Sequence, residues 1–206
     1  MPQTKSSRNQ INRRVVFGLL MAGLLIVAAI PALSAKRVKN ETIEATAMGT
    51  GTQLGQNVGI SVEIYDFSTP EDKQVLVDAF AKGQNQGLVN ALTKMRSVGH
   101  ISITGTIGFD LAFIRMIPTP TGRKIRFVTN RQLRFGEVYA DSQSTAFNLT
   151  GGEFDLNDTD KKKSTGVLYP ECQLVIDKEG EPQIQLNQNA WKLVDVLDWK
   201  GTEGVN

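Results

Sequence analysis

An α+β fold is predicted, mostly antiparallel β-sheet in the form of a sandwich or partly closed barrel, with one helical pair at about 70–95. Two patterns predict it. From His100 onward, short runs rich in β-branched and aromatic residues are separated by Gly, Pro, Asn and Asp, at the spacing of roughly 8–12 residues typical of sandwich and barrel strands. Against them stands "LVDAFAKGQNQGLVNALTKM", residues 76–95, the one stretch with sustained helical period. A third observation limits how the fold is held. Cys172 is the only cysteine, so no intramolecular disulfide framework exists and stability rests on a buried core.

The first 35 residues are set apart from the rest. Lys5, Arg8, Arg13 and Arg14 precede "VVFGLLMAGLLIVAAI", residues 15–30, and Pro31 and the small residues of "ALSA" follow. Basic, apolar and small-residue parts in that order predict a secretory signal peptide over 1–35, cleaved after Ala35. The alternative is an uncleaved anchor, since 15–35 carries no charge and approaches the ~20 apolar residues of a membrane span. Arg13-Arg14 also touches the twin-arginine pattern. Residues 36–206 then form a single exported α+β domain with loose ends, large enough for one real core. The whole chain has 23 basic and 21 acidic residues. Four of the basic ones leave with the signal, so the exported part is net negative. The basic balance is a property of the targeting segment and does not point to nucleic acid.

Along the exported part, "ETIEATAMGTG" and "QNVGISVEIYDF" alternate apolar and polar residues across a Gly-rich turn, with Val58, Ile60, Val62 and Ile64 on one face. "STPED" is a helix start: Ser68 or Thr69 as cap, Pro70 in the first turn, Glu71 and Asp72 at the positive end of the dipole. Leu76, Phe80, Leu88, Leu92 and Met95 form the inward stripe, interrupted at Gly83 and Gly87, so two short helices or one broken helix follow. The remaining strands are "HISITGTIG", "FDLAFIRMI", "RKIRFVT", "LRFGEVY", "TAFNLTGGEFDL", "GVLYPECQLVID", "PQIQLN" and "AWKLVDVL", the last open to a short helix instead. Hairpin turns are expected at 118–122 and 178–182, and a longer polar loop at 157–166.

Few residues carry chemistry. His100 is the only histidine, which excludes His-pair chemistry and His-rich metal sites, and no nucleophile elbow is present. A capping or surface role is expected for it. Cys172, within an expected strand, reads as a small buried apolar residue. Asp155, Asn157, Asp158 and Asp160 suggest a calcium loop, but Asp160 and Gly166 stand where an EF-hand needs Gly and Glu. Lys161, Lys162 and Lys163 oppose a cation there. Lys124 and Arg126 alternate with Ile125 and Phe127, as in a half-buried strand. Glu63, Asp66, Asp110 and Glu137 are the carboxylates a hydrolase could use. Asn40, Asn148 and Asn157 head N-x-Ser/Thr sequons, relevant only in a eukaryotic secretory pathway. Trp191 is expected in the core, and Trp199 over an edge or a ligand.

"TAMGTGTQLG" (46–55), "STPEDKQ" (68–74), "LVNALTKMRSVGHIS" (88–102) and "TGRKIRFVTNRQLRFGEVY" (121–139) resemble, over about 43–176, a family of secreted proteins of unknown function from soil bacteria of the acidobacterial kind. That family has tryptophan after the phenylalanine matched by Phe135, where this chain has Gly136. The resemblance implies export and a bacterial source. It implies no activity and carries over no functional residue.

The sequence therefore predicts a non-enzymatic binding or interaction module of the cell envelope, exported to the periplasm or beyond, with no cofactor, metal ligand or catalytic residue assigned. The partner expected is an envelope protein, and contact with a membrane is expected only through an uncleaved anchor. Two alternatives stay open: a carrier of a small apolar ligand held between sheet and helices, and a carboxylate-dependent hydrolase. Mass spectrometry of the exported protein is expected to find an N-terminus at or within a few residues of Lys36. An intact N-terminus recovered in the membrane fraction would replace the signal with the anchor.

Overall fold

The structure, a computed structural model, describes residues 40–51, 54–131, 148–188 and 190–200. The signal or anchor at 1–35, the start of the tail at 36–39, and the expected strand 133–139 with Glu137 lie outside these residues. Among them, nine strands and one helix follow in the order β1 (Glu41–Gly49), β2 (Asn57–Ile64), α1 (Pro70–Leu92), β3 (Gly99–Ile103), β4 (Phe109–Thr119), β5 (Gly122–Thr129), β6 (Leu149–Asn157), β7 (Thr165–Ile176), β8 (Pro182–Gln188) and β9 (Trp191–Trp199). The "AWKLVDVL" segment is thus strand from Trp191 on, not helix.

All pairings are antiparallel. β1 to β7 form a meander, β9 pairs with both β1 and β7, and the ring of eight strands closes. The architecture is a closed barrel, which decides between the sandwich and the partly closed barrel. β8 stands outside the ring as the hairpin partner of β7. The outer edge of β7 is divided: Gly166–Leu168 pair with β9, and Glu171–Ile176 pair with β8.

Alternation places one residue set inside the ring. Ile43, Ala45, Ala47, Ile60, Val62, Ile64, Ile101, Leu111, Ile125, Phe127, Phe154, Leu168, Trp191 and Leu193 are buried there in one cluster. Eight strands leave a lumen about wide enough for side chains to fill, and these residues fill it. The outer wall carries Lys124, Arg126, Glu153 and Asp155. Apolar inside and charged outside is the reverse of a membrane-spanning barrel. No helix of the described residues is long and apolar enough to cross a membrane.

The helix does not cover the inner face of the sheet, as a lid would. Closure already buries that face. A second apolar cluster lies on the outer wall, where Ala112, Phe113, Val128 and Leu149 meet Cys172 and Leu174 of β7 and Leu76, Leu88 and Leu92 of α1. Thr69 caps α1, its hydroxyl accepting from Asp72 N while the Asp72 carboxylate accepts from Thr69 N at 2.8 Å, a reciprocal box that satisfies two free donors. Ser68 exchanges hydrogen bonds with Ile114 of β4 at 2.8 and 3.0 Å, fixing where the helix starts on the wall.

One helix broken at a glycine is observed. Gly83 and Gln84 leave helical geometry, Gln84 at φ 51°, and the second half folds back until a Cβ on Gly87 would strike the Ala79 carbonyl. Asn85 holds the break in place. Its amide donates to Asn148 Oδ1 at 2.9 Å, and its oxygen accepts from Leu174 N at 3.0 Å. Of the expected stripe, Leu76, Leu88 and Leu92 are fully buried, while Phe80 and Met95 are half-buried at its border.

Leu92→Ala and Phe80→Ala are expected to destabilise the fold by about 2–5 kcal/mol, with Phe80 at the low end. Lys82→Ala and Lys94→Ala, both exposed, should stay within about 0.5 kcal/mol. Denaturant melts in which all four changes cost the same would remove α1 from the packing.

Candidate functional site

Three of the sequence candidates meet in one row. Glu63 on β2 faces His100 on β3, which faces Asp110 on β4. The row lies on the outer wall, with Asp110 61% exposed. His100 Nε2 is 2.7 Å from the Ile107 carbonyl and Nδ1 is 3.4 Å from Asp110 Oδ1. Both ring nitrogens face acceptors, so His100 pins the β3–β4 turn, in keeping with the surface role expected. Asp66 pairs with Arg96 at 2.8 Å on the surface. Cys172 is fully buried, and desolvation pushes its thiol up to about 12, a packed residue with negligible thiolate.

The acidic loop is occupied by its own turn. Asn157 Oδ1 accepts from Thr159 N and Asp160 N, and Asp160 caps a single 3-10 turn at Lys161–Lys163. Among the described residues no group of three or more His, Cys, Asp or Glu is placed to hold a metal ion. Trp191 is in the core. Trp199 is 57% exposed and donates to Glu44 Oε2 at 3.1 Å.

Two arrangements stand out, and neither was assembled from sequence. The first is a groove of about 390 Å³ on the outer wall. Lys124 and Arg126 of β5, Glu153 and Asp155 of β6, Val167 and Tyr169 of β7 form its floor, and Gln183 and Ile184 of β8 bound it. Glu153 lies 2.9 Å from Lys124 and 2.7 Å from Arg126. Burial works to raise its carboxyl, and the two hydrogen-bonded cations outweigh that and hold it below its ordinary value. Burial and the Glu153 carboxylate push the Tyr169 phenol up, so its hydroxyl stays protonated and able to donate.

The β7–β8 hairpin reaches this wall because it is clamped there. Arg126 donates to the Pro182 carbonyl at 3.0 Å, and Lys73 and Arg115 hold Glu181 at 3.0 and 3.3 Å. Gly151 of β6 allows the approach, because a side chain there would strike Ile184. Among the described strands β8 pairs with β7 alone, so its second edge borders the groove unpaired.

The second arrangement closes one end of the lumen. Glu41 shares the inward parity of Ile43, and Arg123 that of Ile125 and Phe127. β1 and β5 lie opposite each other, with three strands between them in either direction round the ring, so Arg123 spans the lumen. Its guanidinium donates to Glu41 Oε2 at 3.1 Å, to Glu41 Oε1, and to Asp198 Oδ2 of β9 at 2.9 Å. Burial raises the Glu41 carboxyl above its ordinary value, with Asp198 adding to the effect, because one guanidinium serves two carboxylates. Asp198 Oδ1 and Arg123 Nε are buried without a hydrogen-bond partner. The geometry is that of a strut. A single sequence signal existed for it: charged residues on the apolar parity of β1 and β5.

Arg123→Met is expected to cost about 3–5 kcal/mol at pH 7, because two buried carboxylates lose their counter-charge. The sign with pH is fixed. A carboxyl whose folded pKa is raised favours the fold below its unfolded value and loses that contribution as pH rises through the folded value. Urea melts should therefore show the variant's deficit shrinking towards pH 4. A deficit constant from pH 4 to 7 would mean that Glu41 and Asp198 do not depend on Arg123.

No family model matches the chain, and no curated protein or solved structure was found similar to it, so the functional reading rests on these two arrangements.

Proposed function

We propose that this chain is an exported bacterial interaction module that takes an extended polypeptide segment along the free edge of β8. The observation that carries the reading is that edge, unpaired among the described strands and set over a polar groove. An edge strand presents a row of N–H and C=O groups that a further strand can pair. Strand addition takes its affinity from the main chain and its selectivity from alternate side chains. The usual guards are missing from this edge: "QIQLNQ", residues 183–188, has no charge and no proline. Pro182 has no N–H to give, and its carbonyl accepts from Arg126, so that residue already faces away from β7. In the antiparallel pattern Ile184 is turned the same way.

The groove chemistry suits a mixed polar segment. Two cations and two carboxylates line it with the Tyr169 hydroxyl and the Gln183 amide, so alternate side chains of either charge meet a complement. The filled lumen and the packed seam between α1 and the wall favour this reading over a carrier of an apolar ligand. The open row at Glu63, His100 and Asp110 favours it over a hydrolase.

The test is a displayed library of random linear peptides selected on residues 36–206, followed by hydrogen exchange. Selected peptides are expected to slow exchange of β8 amides. Gln185→Pro, at an exposed residue that the β7 register skips, should weaken binding about tenfold or more, equivalent to ~1.4 kcal/mol, while the melting midpoint holds. Protection confined to another element, unchanged binding by the proline variant, or no selected binder would each reject the reading.

A further inference from the structure

The barrel has a second opening, remote from the groove in chemistry. β9 pairs with β1 from Thr42 to Gly49 but with β7 only at Leu168, Val167 and Gly166. Beyond Leu193 the second half of β9 therefore runs beside the β6–β7 hairpin without a ladder. A pocket of about 230 Å³ occupies that seam, lined by Leu156, Val196, Leu197, Asp198 and Trp199 with the hairpin residues Asn157, Asp158, Lys161 and Ser164. Leu197 and Trp199 are 52% and 57% exposed, so two large apolar side chains form its lips. The Trp199 ring is held by its hydrogen bond to Glu44.

The polar groups of the rim are mostly spoken for. Ser164 accepts from Asn157 N at 3.0 Å, Asn157 Oδ1 holds the turn, and Asp158 pairs with Lys200 at 3.3 Å. Asp198 is different. One oxygen accepts from Arg123, and Oδ1 is buried and bonded to nothing. The inner cluster of Glu41, Asp198 and Arg123 has one more anion than cations when both carboxylates are ionised. Lys161, the cation of the lining, is exposed on the hairpin tip.

We propose that the seam is a binding site for a small organic cation, a primary ammonium on a short apolar chain, with its head at Asp198 and its chain between Leu197 and Trp199. An ammonium supplies the donor that Oδ1 lacks and neutralises the cluster. An aromatic face beside the carboxylate adds cation–π attraction, and 230 Å³ limits the chain to a few carbons. Of the charged groups, Asp158, Lys161 and Asp198 line the site; Arg123 bonds Asp198 and Glu41 behind it, Glu44 holds Trp199, Lys200 pairs with Asp158 and Lys163 with Asp160. Of these, Glu41 couples to the ligand. Burial raises its carboxyl above the ordinary value, and its protonation would reduce the spare negative charge that the ammonium meets.

The test is calorimetric titration of residues 36–206 with n-butylammonium, butan-1-ol and butyrate, at neutral and at lower pH. The ammonium is expected to bind about tenfold or more tightly than the alcohol or the acid, the range of one charge-assisted hydrogen bond. Affinity should fall as pH is lowered and the Glu41 carboxyl, raised by burial, takes up its proton. Asp198→Asn should lose the preference for the ammonium. Trp199→Ala, at an exposed position that leaves the core intact, should weaken binding severalfold with an unchanged melt, so the proposal is tested even where the first variant does not fold. Equal binding of all three probes, preference for butyrate, affinity that rises as pH is lowered, or no heat with any probe would overturn it.

Discussion

Everything else in this structure depends on where β9 is admitted to the ring. It pairs along the length of β1 and along three residues of β7. That short ladder closes the barrel and buries the inner face without a covering layer. It also leaves the rest of the β7 edge open, and β8 takes it from Glu171 to Ile176. A strand that pairs there cannot be part of the ring, so the β7–β8 hairpin passes over the outer wall. The outer core, the polar groove and the seam beside β9 all follow from one edge being shared by two strands.

The strut at Glu41, Arg123 and Asp198 does for the lumen's end what the ladders do for its sides. Buried ion pairs add little stability compared with well-packed apolar residues. What the charges add is discrimination between registers. A slip of one residue on β1 or β5 would turn Glu41 or Arg123 out of the lumen, leaving the partner charge buried alone. On β9 the arrangement needs an irregularity. Asp195 has φ 52°, and the register against β1 shifts between Glu44 and Thr46. Without that bulge, alternation from Trp191 and Leu193 would point Asp198 outward.

Most strands were legible in the sequence, because half-buried strands alternate and their turns use Gly, Pro, Asn and Asp. The helix was legible too, down to its cap and its break at Gly83. Closure was not. Whether the first and last strands meet depends on twist, tilt and the bulge at Asp195, none of which leaves a local pattern. The sequence therefore placed the helix on one apolar face of the sheet without telling which, and the residues it covers are Phe113, Val128 and Leu149 on the outside. The two arrangements were illegible for the same reason. Glu153 and Gln183, or Arg123 and Asp198, are brought together by the ring and by no shared segment.

A lumen packed by Phe127, Phe154 and Trp191 favours recognition at the barrel's surfaces. The two candidate surfaces lie on either side of the β7–β9 junction and differ in kind. At the β8 edge the recognising groups are main-chain donors and acceptors, which suit many extended sequences, and the groove's balanced charges select weakly among them. At the seam one buried carboxylate oxygen and two apolar lips define a small, specific demand. A junction three residues long is, with the three-residue ladder of β3 and β4, among the shortest in the ring, and each ladder residue lost there is a large fraction of what closes it. A ligand seated on Asp198 and against Val196 would brace β9 from the hairpin side, and a strand added to β8 would brace β7. Occupancy of either surface would then favour the closed ring, a coupling that needs no movement beyond tightening the junction between them.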